Sequence, residues 1–97
     1  DIIDHRGSVT LLPVDAQGEV WFVRQYRHAA GDDLLELPAG VLEPGEDAAD
    51  CALRELREET GMAAKNLQKI GQFYLAAGYS TELMHVYLAT ELYPAPL

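Results

Sequence analysis

Apolar and β-branched positions fall in short runs separated by turn-forming residues, and the runs predict strands arranged around one helix. Ser8-Val-Thr-Leu-Leu-Pro-Val14 reads as a strand ending in the turn Asp15-Ala-Gln-Gly18. Glu19-Val-Trp-Phe-Val-Arg-Gln-Tyr-Arg27 reads as a second strand, so the pair predicts a hairpin. His28 to Asp33, with Gly31 and two aspartates, predicts a loop, and Leu34 to Leu37 a short strand stopped by Pro38. Glu43-Pro-Gly-Glu46 is a turn signal. Asp47 onward predicts a helix, with acids in its first turn, Ala and Leu through its body, and Gly61 where a C-terminal cap belongs. Residues 67–76 and 83–90 predict two more strands, separated by Ala77-Gly-Tyr-Ser-Thr-Glu82. This order implies a mixed α/β domain, expected to be a single unit over residues 1–97.

The helix carries the first chemical signal. At about 100° per residue, with Ala52 at zero, Leu56, Ala49, Thr60 and Leu53 fall between roughly 40° and 100°. That stripe is apolar enough to face a core. Glu55, Glu58 and Glu59 fall at roughly 300°, 240° and 340°, so three carboxylates share one arc beside it. Like charges three or four positions apart destabilise a helix by a few tenths of a kcal/mol per pair. Two explanations remain at this point. One is a solvated acidic ridge partly neutralised by Arg54 and Arg57. The other is a site for a hard cation, because Mg²⁺ takes oxygen ligands and commonly uses a few carboxylates plus substrate phosphates.

Composition narrows the function classes. Sixteen acids against seven bases give a formal charge of −9, which excludes binding a nucleic acid backbone through bulk electrostatics. No apolar run approaches the length of a membrane span, and no membrane partner is expected. The single cysteine, Cys51, excludes an internal disulfide framework and makes a cytoplasmic setting the expectation. His5, His28 and His85 lack the mutual spacing of a zinc site. Trp21 and Tyr26 alternate with apolar neighbours and are expected in a core or interface; Cys51 is expected as a small packing residue.

The loop before the helix adds a second signal. Leu37-Pro-Ala-Gly40 leads into a glycine-rich turn where a backbone carbonyl could supply another oxygen ligand, and Gly40 permits conformations that other residues resist. Glu46 lies eight positions before Arg54, so the two could pair across loop and helix. From Gly40 through Glu46 to Arg54-Glu-Leu-Arg-Glu-Glu-Thr-Gly-Met62, the chain resembles the Nudix box at every defining position. The flanks, Val23-Arg-Gln-Tyr-Arg27 and Glu36-Leu-Pro-Ala-Gly40, resemble the ADP-ribose pyrophosphatase branch of that superfamily. One position departs from that branch: Ala77 stands where it tends to carry proline.

The resemblance implies a Nudix-type α/β/α sandwich with a mixed sheet and a loop-helix-loop catalytic motif. It implies Mg²⁺, with Mn²⁺ as a substitute, bound by Glu55, Glu59, Glu58 and the Ala39 carbonyl. Gly40, Glu46 and Gly61 would be structural within the motif. Catalytic roles would fall to Glu58, to Arg54 as support for helix and loop, and to Glu82, as general base on a loop after the box. Arg27, and more weakly Arg24, would contact substrate phosphate, although a surface ion pair explains Arg27 almost as well. The implied reaction is attack by water on a pyrophosphate, with ADP-ribose or an ADP-sugar giving AMP and a sugar phosphate. A GDP-sugar, a dinucleoside polyphosphate, or binding without hydrolysis are the alternatives. A homodimer is the family expectation. The chain begins at Asp1 and stops soon after an apolar segment, so it is expected to lack the N-terminal β-segment and C-terminal helix of longer members.

Overall fold

The computed structural model describes residues 7–77 and 80–97. Six strands and one helix run in the order β1 Ser8–Pro13, β2 Val23–Arg27, β3 Asp32–Glu36, β4 Ala39–Val41, α1 Ala48–Thr60, β5 Met62–Ala77 and β6 Ser80–Pro94. The larger sheet is mixed, in the order β4-β1-β6-β5, with β1 antiparallel to β4 and parallel to β6. The mixed α/β architecture expected from the sequence is therefore present, and α1 supplies the helical layer of the described residues.

Strand β1 occupies an interior place because Val9 and Leu11 are fully buried on one of its faces. Its partners differ from the hairpin expected. The turn at Asp15–Gly18 does form, with Gly18 at φ 81°. The Asp15 carboxylate organises it by accepting from the Gln17 and Glu19 N–H groups, each at 2.9 Å, and from the Trp21 indole at 3.1 Å. Beyond that turn only an isolated bridge joins Val14 to Val20. Strand β2 begins at Val23 and pairs instead with β3, around a turn in which the Gly31 N–H donates to the Arg27 carbonyl. The loop expected at residues 28–33 is thus shorter, and Asp32 and Asp33 belong to β3. Tyr26 is exposed rather than part of the core, with its ring edge-on to His28.

The helix forms as its end signals require. Asp47 is the N-cap, its carboxylate accepting from the Ala49 N–H at 3.1 Å, and Gly61 closes the far end in the left-handed region at φ 74°. Helix α1 packs on β1, β4 and β5, and its Cys51, Ala52 and Leu56 meet Val9, Leu11, Tyr87 and Ala89 in the core. Cys51 is the packing residue expected; burial pushes its thiol up to about 11. Strands β5 and β6 are longer than predicted, so the loop expected between them shrinks. Ala77 and Ser80–Glu82 lie in strands, and Gly78 and Tyr79 fall outside the described residues. No described helix is long and apolar enough to cross a membrane.

Leu56 is fully buried where helix and sheet meet. Replacing it with alanine is expected to remove about 2–5 kcal/mol of stability. Urea unfolding checks this: the midpoint should fall with the slope unchanged.

Candidate active site

The helical wheel changes once burial is known. Cys51, at roughly 260° on the wheel, is fully buried, whereas Leu53, at roughly 100°, is 37% exposed. The inward arc is therefore rotated from the apolar stripe toward the acids. Glu55 and Glu59 lie within that arc, and Glu58 lies at its rim. Exposure follows the same order, the Glu55 side chain being 13% exposed and that of Glu58 47%.

Strand β4 makes room for these inward carboxylates. A Cβ built on Gly40 would fall inside the Glu55 carboxyl group, so no other residue fits while Glu55 keeps its place. This corrects the reason given by the sequence, because Gly40 is not among the glycines with positive φ. Space beside Glu55, not backbone freedom, requires it. One residue earlier, the Ala39 N–H points to Glu59 Oε1 at 3.4 Å.

Arg54 joins the loop to the helix. Its Nε and Nη2 donate to the two carboxylate oxygens of Glu46 at 2.8 and 2.9 Å, the pairing expected from their spacing. Its Nη1 donates to Glu55 at 3.0 Å and to Glu58 at 3.3 Å. Glu46 also accepts from the Glu43 N–H at 2.9 Å, closing the turn before the helix. The Arg54 fork and that N–H hold the Glu46 carboxyl down at about 2. Glu59 behaves oppositely: burial pushes it up to about 7, and neighbouring Glu55 and Glu58 act in the same direction against the Ala39 N–H.

The donor chemistry suits a hard cation, since every candidate ligand is an oxygen. Among the described residues, however, no three acidic, histidine or cysteine side chains converge as a finished cage. Glu55 and Glu58 both accept from Arg54 Nη1, so the guanidinium occupies the point on which their oxygens converge. Mg²⁺ does not need such a cage, because one or two carboxylates, waters and substrate phosphates commonly complete its octahedron. The crowding that raises Glu59 is the observation that favours a cation here.

The remaining expected residues are less concentrated. Arg27 donates through Nε to Glu36 Oε2 at 2.7 Å and through Nη2 to Glu36 Oε1, which is the ion pair kept as an alternative. Glu36 itself was missed as a partner, although it stands in the flank quoted for the resemblance. Arg24 is three residues from Arg27 and so faces the other side of β2. Glu82 is not brought to the cluster. It lies in β6, four residues before Val86, which is level with Thr10 and Ala39 across the sheet. Strand spacings then put it roughly 15 Å from Ala39. By alternation it also shares the sheet face of Met84 and Val86, opposite the face of Tyr87 and Ala89 that meets α1.

Comparison with known proteins follows the same pattern. Residues 4–95 match the NUDIX domain. The chain is 46% identical over 92 residues to an ADP-ribose pyrophosphatase of Bacillus subtilis (strain 168), covering 95% of this chain and 50% of that protein. It is 43% identical over 93 residues to an ADP-ribose pyrophosphatase of Mycobacterium tuberculosis, covering 95% of this chain and 45% of that one. The crystal structure of an ADP compounds hydrolase superposes with a TM-score of 0.87 at 29% identity, over 97% of this chain and 50% of the other. The chain thus spans about half the length of the curated relatives it matches.

Two consequences are measurable. Replacing Gly40 with alanine is expected to displace the Glu55 carboxylate and weaken Mn²⁺ binding at least about tenfold, read by titration. The pH dependence has two opposed windows. Glu46 contributes stability that is present above its ordinary value of 4.5 and is lost as pH falls toward about 2. Glu59 keeps its proton in the fold between 4.5 and about 7 while the unfolded chain releases it, so metal-free stability falls as pH rises through that window. Thermal unfolding should show Mg²⁺ raising Tm more at pH 8 than at pH 5. A Glu59→Gln variant should lose the decline between pH 4.5 and 7; an unchanged decline would assign it to another group.

Proposed function

The chain belongs to the Nudix family, and on that premise we propose that it hydrolyses the pyrophosphate bond of a nucleoside diphosphate linked to another group. ADP-ribose or an ADP-sugar is the leading substrate, giving AMP and a sugar phosphate. The observation that carries this reading is the pair of inward-facing carboxylates on α1, with Glu55 in the space that Gly40 leaves and Glu59 beside the Ala39 N–H.

Glu55 and Glu59 would hold a divalent cation, Mg²⁺ or Mn²⁺, with the Ala39 carbonyl beside them and Glu58 ligating directly or through water. When bound, the cation neutralises phosphate charge and lowers the pKa of the attacking water. Arg54 keeps Glu46, Glu55 and Glu58 in register with the loop, which fixes where the phosphate meets the carboxylates. Glu58, at the exposed rim, is the group of the cluster best placed to take a proton from water entering from solvent. Glu82, on β6, is the other candidate for that task. Water attacks one phosphorus, the bond from that phosphorus to the bridging oxygen breaks, and AMP leaves with the sugar phosphate.

The preference for an ADP compound is supported by relatives named for ADP-ribose and ADP compounds. A cytoplasmic enzyme acting as a homodimer on a small nucleotide completes the proposal. The open edge of β5, with Ile70, Phe73 and Tyr74 exposed, offers apolar surface to a second copy.

Incubation with ADP-ribose and Mg²⁺ is expected to release AMP, and Glu59→Gln to reduce kcat at least about a hundredfold. A GDP-sugar and a diadenosine polyphosphate belong in the same assay. Faster turnover of either would replace ADP-ribose as substrate, and tight binding of all three without products would replace hydrolysis by sensing.

A further inference from the structure

The hairpin register sets Arg27 opposite Asp32 and Glu36 opposite Val23, at the two ends of the β2–β3 ladder. The simplest cross-strand ion pair would join Arg27 to Asp32, its direct neighbour. Instead the guanidinium reaches back along the shared face and takes Glu36 with two parallel bonds. Such a fork fixes both the position and the plane of an arginine. The two side chains are 50% and 30% exposed, and a pair so exposed contributes little to folding.

Glu36 is the better anchored of the two acids. Two residues on, the Pro38 side chain is fully buried and its carbonyl accepts the Leu11 N–H of β1 at 2.9 Å. One residue further is Ala39, at most about 10 Å of chain from Glu36. Choosing Glu36 over Asp32 therefore ties the guanidinium to the chain leading into the carboxylate site rather than to the hairpin tip. Among the described residues the other arginines do not fill that place: Arg54 is engaged by Glu46, Arg57 donates to the Ala95 and Pro96 carbonyls, and Arg24 faces away. The fork uses Nε and Nη2, and Nη1 of Arg27 has no partner among the described residues.

We propose that Glu36 is a positioning residue that holds the Arg27 guanidinium where its Nη1 donors meet a phosphate oxygen of the bound diphosphate. This rests on the diphosphate substrate proposed above. Glu36 touches no reacting atom, so its loss acts through Arg27 and on binding more than on turnover.

Steady-state kinetics and equilibrium titration with ADP-ribose on Glu36→Gln, Arg27→Ala and the double variant test it. Glu36→Gln should raise KM and Kd about tenfold. Its kcat and its Mn²⁺ affinity should stay within about twofold of the parent, and the double variant should be no weaker than Arg27→Ala alone. An unchanged Kd, additive losses, or a parallel loss of Mn²⁺ affinity would each overturn the proposal, the last by making Glu36 merely structural. A parent that binds ADP-ribose without hydrolysing it would overturn the hydrolase reading alone, and the Kd comparison would still decide Glu36. A parent that binds no diphosphate would overturn both.

Discussion

Two carboxylates turned toward the inside of the protein are the constraint around which this structure is arranged. A buried acid is tolerated only when it is neutralised, hydrogen-bonded or matched by opposite charge. Glu55 and Glu59 sit one helical turn apart on the inward arc of α1, so the same remedy must serve both. Each neighbouring feature answers to that demand. Gly40 removes the side chain that would occupy the Glu55 carboxyl position. The Ala39 N–H meets Glu59, and Arg54 meets Glu55. These contacts still leave Glu59 reluctant to ionise, its carboxyl pushed up to about 7. The fold thereby holds a deficit of positive charge at one defined place, and a divalent cation is the agent that removes it most directly.

Arg54 answers a different part of the same problem. A guanidinium has five N–H donors in a rigid fork, so one side chain can satisfy several acids at once. Its fork goes to Glu46 and its remaining nitrogen to Glu55 and Glu58. The arrangement has a mechanical consequence, since Glu46 belongs to the turn that closes on Glu43 while Glu55 belongs to the helix. Loop and helix are thus fastened through a charged centre in addition to the apolar packing of Leu42 on the core. Such a fastening can exchange partners, because a cation taking Glu55 and Glu58 leaves Arg54 still anchored by Glu46.

The carboxylate site was largely legible in the sequence because its determinants are local. Residues 40–62 contain the turn, the N-cap, the helix and its glycine terminus, and their spacing alone brings Glu46 to Arg54. Tertiary structure decided what was not legible. Apolar content placed the helix stripe around Leu53 and Leu56, but Cys51 packs inside and Leu53 partly outside, which rotates the acids inward. The Asp15–Gly18 turn was correct, yet a turn does not choose which strands pair afterward, and burial of Val9 and Leu11 drew β1 between β4 and β6. Glu82 looked like a loop acid because Ser80, Thr81 and Glu82 are polar, whereas pairing with β5 carries the strand through them.

The same division between local and distant determinants separates the proposed chemistry from the proposed substrate. Holding a cation requires a few oxygens at fixed spacing, which one helix with its preceding loop would supply in the proposed site. Recognising what is attached to the diphosphate requires surfaces gathered from separate elements. The described candidates for that task lie on the β2–β3 hairpin, which forms a small sheet of its own. Its Tyr26 and Leu35 are more than half exposed and lie with Arg24 on the face opposite Arg27 and Glu36, so the hairpin presents apolar surface on one side and the ion pair on the other. The Arg27–Glu36 fork ties this hairpin's charge to the end of β3, from which the chain enters the carboxylate site. On the proposed reaction, selectivity for one diphosphate over another would depend on how the hairpin is held, whereas cleavage would depend on how α1 sits against Gly40.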